Sequence, residues 1–559
     1  MKKFKDSSVN IAFGRIQFSD REGNPRQGLD QYRENAEAGV WNGPLTRPAR
    51  QWFSGGFGVN NVIANVGGCI FRRQMLPESV WKEAEGYSIL GDWFLYVHLA
   101  GGGQISYEPS AVSYFRQHGG NTSVASFVTP GYYEEHERLM LLLRQRWGVP
   151  DETVEAFHRK VAWQYAHHGL EEKLGPLESY CDKQKLLAES RERSHILMAF
   201  LGFHSGGGEV FPINLANTLY EQGHIVSMLA YSMIDANEEM LAALNPGIPV
   251  YDCAWVAEYG ADRFLADAGA SLIHSHMILL EEFFFERRKI ETEIPYLVTL
   301  HGSYEVSSLS NERLLRFILG VTHFVYTADK NLEPFSALPL SERIFTKLDN
   351  AMPEDPRPFP KTRHELGIAE DSLVFTLVAR GIQRKGWRAA ISAFQSLRDA
   401  CTDQDMHLLL CGDGTETDRH YALHGDDSDI TFLGYQPHID GLYRMSDVAL
   451  VPTRFGGESF PLSILQALRA GTPVIGTKVG EIENILSGPE GTAGVLIEYQ
   501  RDTESFAESL REAMTAMLDP YERNRGAHAA EEKSKTYNLD KVAGDYTALY
   551  ENLLAERTH

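Results

Sequence analysis

The chain is poor in cysteine. Its 559 residues include only Cys69, Cys181, Cys253, Cys401 and Cys411, scattered without a C-x-x-C pair. Neither a disulfide framework nor a zinc site is expected, and a reducing compartment fits. No run of ~18 apolar residues occurs, and the basic start, residues 1–5, leads into no apolar signal core. Membrane spanning and secretion are disfavoured, and a cytoplasmic location is expected. Cations are also scarce, with 53 Lys plus Arg against 76 Asp plus Glu and a net charge of −23. Such a surface repels a polyanion over most of its area, so no nucleic acid partner is expected. Internal repeats and low-complexity tracts are absent.

What remains is a folded composition, 43% hydrophobic and 23% charged, with 49 Gly and 24 Pro. At ~100–200 residues per domain the length implies about three or four domains. Residues 1–130 are rich in Gly, Asn and aromatics, with short strand-like runs, as in a mixed α/β piece. Residues 131–193 carry apolar positions at helical spacing and read as a helical connector. From 194 the pattern becomes strand, glycine turn, helix, and it restarts after the Pro-rich segment 353–360. Two Rossmann-like domains are expected, 194–352 and 353–559. The aromatic and basic run 283–289 reads as a helix end packed by its aromatics, and it leaves peripheral contact with a membrane open.

A doubly wound sheet binds ligands at the carboxyl ends of its strands. In the first such domain that place holds Gly206, Gly207 and Gly208, where backbone can approach a ligand ahead of a helix N-terminus. In the second, the run 373–378 delivers Arg380, followed by Arg384 and Lys385. These cations in an acidic chain suit a diphosphate clamp, with Arg380 as a fork and Lys385 as a point charge. The segment 455–474 then places Pro461 at a helix start and Gly471 at its end. Glu458 and Gln466 are eight positions apart, ~12 Å of helical rise on nearly one flank.

This segment resembles the E-x7-E region of the retaining glycosyltransferases of family 4. Further motifs follow in the family's order: "PYLVTLHG" ending in His301 and Gly302, "LDNAMP" with Asn350, "VARGIQRKGW", "LLLCGDGTE" with Gly412, "ITFLGY", "SDVALVPT" and "AGTPVIGTKVGE". The resemblance covers roughly 194–559. It implies a GT-B fold, two Rossmann-like domains facing across a cleft, with a nucleotide-diphosphate-sugar donor held mostly by the second. It also implies no metal or other cofactor, and a final helix that returns to the first domain. Arg380 and Lys385 would neutralise the departing diphosphate, helped by the backbone near Ser459 and Phe460 and by Gly412. Glu458 would hold the donor sugar, His301 would line the same space, and Gly207 and Gly208 would face diphosphate or acceptor. Gln466 stands where the family has its second glutamate, so an uncharged amide would meet the ribose hydroxyls.

Upstream, "NNVIANVGGCIFRRQML" and "GDWFLYVHLAGGGQISYEPSAVSYFRQHGGNTS" resemble the later half of a family 2 glycosyltransferase, an inverting GT-A enzyme. On that resemblance Asp92 would be the general base, with Arg116 and His118 closing over donor phosphates or a metal. The nucleotide-binding half and the D-x-D metal site of such a domain are missing, so this partial domain is expected to transfer no sugar by itself.

Together these features imply a bacterial-type retaining hexosyltransferase acting on a saccharide or lipid-linked saccharide acceptor in cell-surface polysaccharide biosynthesis. Association with itself or with a partner glycosyltransferase is left open. The competing readings are a non-catalytic sugar-binding or scaffolding relative and a GT-B nucleotide-sugar 2-epimerase.

Overall fold

The computed structural model describes residues 2–26, 30–72, 76, 78–116, 126–189, 194–204, 207–307 and 309–556. The amino-terminal sheet contains β1 (Val9–Ser19), β2 (Leu45–Pro48), β3 (Cys69–Phe71) and β4 (Gln104–Arg116), in the order β2-β4-β1-β3. β1 runs parallel to β4 and antiparallel to β3. The helices Pro130–Trp147 and Asp151–His167 pack on this unit. Their Leu139, Met140, Trp147 and Phe157 share one apolar core with Trp52, Phe57 and Trp93. The segment read as a connector therefore buries its apolar stripe against the first sheet, the nearest surface able to exclude water from it.

Next come β5 (His195–Phe200), β6 (Ile225–Ala230), β7 (Val250–Asp252), β8 (Leu272–Ser275), β9 (Tyr296–Leu300), β10 (His323–Tyr326) and β11 (Phe345–Lys347). They form one sheet in the order β11-β10-β9-β8-β5-β6-β7, every pair parallel. All six residues of β5 are buried, as a strand covered by helices on both faces requires. The amino-terminal unit docks on the β7 side: the Tyr251 hydroxyl donates to the Gly102 carbonyl at 2.8 Å, and the Ser7 hydroxyl donates to the Val250 carbonyl at 2.9 Å. In the run 283–289, Phe283 and Phe284 are buried and Arg287 pairs with Glu282.

The second parallel sheet is built from β12 (Leu373–Val378), β13 (Met406–Cys411), β14 (Ile430–Gly434), β15 (Val448–Val451) and β16 (Val474–Thr477). After a small hairpin, β17 (Ser487–Gly488) and β18 (Gly491–Thr492), β19 (Gly494–Ile497) completes it in the order β14-β13-β12-β15-β16-β19. Chain order reverses between β5 and β8 in one sheet and between β12 and β15 in the other. Such reversals leave a crevice beyond the strand ends, and these two face one another. The last helix, Leu539–Glu556, packs Tyr546 and Tyr550 beside β8 and β9, tying the end of the chain to the first Rossmann-like half. No helix among the described residues is long and apolar enough to cross a membrane.

Candidate active site

A cavity of about 1000 Å³ lies between the two halves. Its wall includes Gly208 and His301 from the first half and Arg380, Lys385, Gly412, Glu458, Ser459, Phe460 and Gln466 from the second. Nine residues singled out in the sequence thus meet in one space. Gly207 opens the helix Gly207–Glu221 next to Gly208, whereas Gly206 lies outside the described residues.

Arg380 follows β12 at the switch point. The Trp387 indole N–H donates to its carbonyl at 2.9 Å, and the Gly381 N–H donates to the Asp413 carbonyl at 2.6 Å, so the turn is anchored on both sides. Gly412 is required here: its φ is +139°, and a Cβ would sit 1.9 Å from the Ala379 carbonyl oxygen. Arg380 is exposed to the cleft and acts on Glu209 in the first turn of the facing helix. Burial raises the Glu209 carboxyl, and the Arg380 charge opposes that rise.

Glu458 is 8% exposed. It accepts from the Thr453 hydroxyl at 3.0 Å and forms an ion pair with Lys385. Contrary to the shared helical flank expected for Glu458 and Gln466, only Gln466 is helical. The helix spans Leu462–Arg469 with Pro461 as its N-cap, because Pro461 takes an extended ψ of 117°. Glu458 belongs to the preceding loop, and the helix is shorter than the sequence suggests. The start of this helix, through Ser463, lines the cavity, and the first backbone N–H groups of a helix have no partner within it.

The first half grips that loop. Asn331 is fully buried, and its amide donates to the Ser459 hydroxyl at 2.7 Å while its carbonyl accepts from the Ala328 N–H at 2.8 Å. The Lys330 ammonium donates to the Gly456 carbonyl at 2.5 Å. Gly302, at φ +95°, lets the two halves touch: a Cβ there would lie 2.0 Å from the Gly457 carbonyl oxygen.

His301 is one of three clustered histidines, its ring stacked on that of His276. His276 Nδ1 lies 2.9 Å from His301 Nε2, and its other nitrogen lies 2.9 Å from the Met198 sulfur. His274 bonds the Tyr550 hydroxyl at 2.8 Å and the Thr299 hydroxyl at 2.7 Å. Burial pushes His301 down to about 4 and holds His274 and His276 well below the usual histidine range, so all three are neutral at pH 7. His276 and Asn331 escaped the sequence reading. The His-x-His at the end of β8, one strand from His301, was the available signal for the former.

One further sequence expectation changes. Arg384, read as part of the diphosphate clamp, does not line the main cavity. It shares a short 3-10 turn with Lys385, and successive residues of such a turn diverge by roughly 120°. Gln466 faces Asp440, a buried carboxylate at the cavity wall paired with Arg469 at 3.0 Å. Burial raises Asp440, opposed by the Arg469 charge and a hydrogen bond from Gln466. Asn350, also on the wall, has a buried carbonyl oxygen with no hydrogen-bond partner.

The amino-terminal candidates lie elsewhere, since among the described residues none before Gly208 lines this cavity. Asp92 is in the first turn of the helix Gly91–Leu99, accepts from the Trp93 N–H at 2.7 Å and from the Asn61 amide at 3.4 Å, and has its carboxyl raised by burial. Arg116 ends β4, and His118 lies outside the described residues. No group of three or more metal-binding side chains occurs among the described residues.

Residues 372–516 match the family model described as glycosyl transferases group 1. The chain is 25% identical over 389 residues to the N-acetyl-alpha-D-glucosaminyl L-malate synthase of Bacillus anthracis, covering 63% of this chain and 95% of that one. It is 29% identical over 212 residues to the D-inositol 3-phosphate glycosyltransferase of Corynebacterium glutamicum, covering 36% of this chain and 49% of the relative. In fold it is similar to Anabaena HepE, solved with UDP-glucose, with a TM-score of 0.51 and 18% identity over 64% of this chain and 99% of that one. Sucrose-phosphate synthase of Thermosynechococcus elongatus gives a TM-score of 0.51 and 20% identity over 65% of this chain and all of that one. The match to glycosyl transferases group 1 thus falls within the second of the two facing parallel-sheet halves, and the two halves together have a GT-B fold.

Proposed function

We propose that this chain is a retaining glycosyltransferase that moves a hexose from a nucleotide-diphosphate-sugar to a saccharide or lipid-linked saccharide acceptor in cell-surface polysaccharide synthesis. The observation that carries the proposal is the convergence on one cavity of the Lys385–Glu458 pair, Arg380, the start of the helix Leu462–Arg469 and His301. Names of relatives that make glycosides of small molecules, and a neighbour solved with UDP-glucose, point the same way.

In this mechanism the diphosphate lies between Arg380, Lys385 and the helix start. As the bond from the anomeric carbon to the diphosphate oxygen breaks, charge grows on that oxygen where fixed donors already point. The acceptor hydroxyl forms the new bond from the face the diphosphate leaves, and its proton passes to the departing phosphate oxygen. Lys385 then exchanges its pairing with Glu458 for the phosphate, which frees the Glu458 carboxylate for hydroxyls of the sugar. His301, kept neutral, accepts a hydrogen bond from a sugar hydroxyl. With two cations and a helix start on the diphosphate, transfer proceeds in the presence of a chelator. The amino-terminal unit is proposed to be related to GT-A glycosyltransferases.

The test pairs a thermal-shift screen of UDP-, GDP- and ADP-sugars, with and without chelator, with a transfer assay of Glu458→Ala. Donor stabilisation together with loss of transfer in a folded variant supports the proposal. Unchanged transfer by Glu458→Ala overturns the site. Consumption of donor without any acceptor would favour an epimerase, and donor binding without turnover a scaffolding relative.

A further inference from the structure

A second cavity, of about 490 Å³, lies behind the loops that line the first. Arg384, Arg454 and Lys478 line it with Gln383, Gly456 and Tyr499, and no carboxylate among the described residues does. Two loops serve both spaces alternately. Lys385 faces the main cavity and Arg384 the second, while Phe455 and Gly457 face the main cavity and Arg454 and Gly456 the second. Successive residues of the short 3-10 turn Gln383–Lys385 diverge by roughly 120°, so this one turn contributes to both walls.

The charge in this hollow is only partly compensated. Arg454 is held by neutral oxygens, the Arg501 carbonyl at 3.1 Å and the Thr503 hydroxyl at 3.2 Å, and its Nε is buried without a partner. The Arg384 side chain is exposed and makes no ion pair or hydrogen bond among the described residues; only its backbone carbonyl is engaged. Lys478 pairs with Glu498 at 2.8 Å and Glu483 at 3.4 Å, neither of which lines the cavity. Beside the paired Lys478, two guanidinium groups without a carboxylate partner among the described residues face one space, and in a chain of net charge −23 their gathering is a local exception.

We propose that this hollow binds a phosphate-bearing anion at a site separate from the donor diphosphate, and that its occupancy strengthens donor binding. Two forked guanidinium groups and an ammonium suit the tetrahedral oxygens of a phosphoryl group. Coupling runs through the shared backbone: the Arg454 N–H donates to the Arg384 carbonyl at 2.7 Å, so an anion that holds both residues also holds the turn carrying Lys385 and the loop carrying Glu458. Anion binding stands independently of the function proposed above; the coupling rests on it.

The experiment is calorimetric titration of the full chain at low ionic strength with inorganic phosphate and with glucose 1-phosphate, glucose serving as the uncharged control. Comparison of the two phosphates decides whether the free ion suffices or the organic part contributes. Wild type is expected to bind phosphate, and Arg384→Gln to weaken that binding at least tenfold, while Lys385→Ala retains it. The donor nucleotide alone is expected to bind Arg384→Gln as it binds wild type, and phosphate to tighten donor binding only in wild type. Unchanged phosphate binding in both Arg384→Gln and Arg384→Glu, or loss of it only in Lys385→Ala, overturns the second site. Intact phosphate binding in a chain that binds no nucleotide sugar overturns the donor site and leaves this one standing.

Discussion

His276 Nδ1 and His301 Nε2 lie 2.9 Å apart, with the other nitrogen of His276 against the Met198 sulfur. A thioether can only accept, so the N–H of His276 faces the sulfur and its Nδ1 accepts from His301. That arrangement protonates His301 at Nε2 and leaves a lone pair on Nδ1, which has no hydrogen-bond partner among the described residues. The ring is therefore set to accept from a hydroxyl in the cavity it lines. Nitrogen-15 NMR should show His301 as the Nε2–H tautomer. His276→Phe should release it and lower kcat about tenfold, roughly 1.4 kcal/mol, with donor KM little changed. An unaltered tautomer in that variant would contradict the positioning role.

Acid should destabilise the fold through the same cluster. A histidine whose pKa falls on folding binds fewer protons folded than unfolded, so stability is full above the unfolded value near 6.5 and declines as pH drops toward about 4, the value for His301. His274 and His276 shift in the same direction. Each group contributes a slope of up to about 1.4 kcal/mol per pH unit. Denaturant titrations between pH 7 and 4.5 should show this loss, with a shallower slope in His276→Gln.

Gln466 stands beside the Asp440 carboxylate and donates to it. Gln466→Glu would set two carboxylates together at the cavity wall. We expect it to cost about 2 kcal/mol of stability and to weaken donor binding. Asp440→Asn in the same chain should recover most of both losses, as melting temperatures and donor titrations would reveal. A gain of donor affinity in the single variant would show that Asp440 does not set the preference at this position.

Gly302 permits the contact between the halves next to His301, and Gly302→Ala would meet the Gly457 carbonyl oxygen at 2.0 Å in a left-handed conformation. The left-handed backbone alone costs roughly 1–2 kcal/mol, and the loop carrying Glu458 must retreat. Transfer should fall by more than a hundredfold, while melting shifts by only a few degrees because the two sheets remain intact. Wild-type rates in this variant would show that the contact is dispensable for positioning Glu458.

Much of the architecture was legible in the order of residues. The runs at 195–200 and 373–378 are apolar apart from His195 and Thr376 because strands covered on both faces have no polar side, and a glycine turn with a helical stripe follows each. The positions of Arg380, Lys385, Gly412 and Glu458 at the ends of such strands follow from the same local rules, since a crevice opens wherever parallel strands stop. Helix limits were less legible: Pro461 suits a first turn and an N-cap equally, and only its extended ψ of 117° removes Glu458 from the helix.

What the sequence by itself determined was which residues are strand, turn and helix, because those choices rest on side-chain periodicity and backbone sterics within a few positions. Tertiary structure alone decided which side chains meet. Gln466 finds Asp440, His301 finds His276, and Asn331 finds Ser459 across the cleft, while Arg384 turns away from its neighbour Lys385 into a second hollow. The physical reason is that these contacts depend on crossover connections and on the approach of two sheets. Burial makes that approach favourable, but no local pattern along the chain records it.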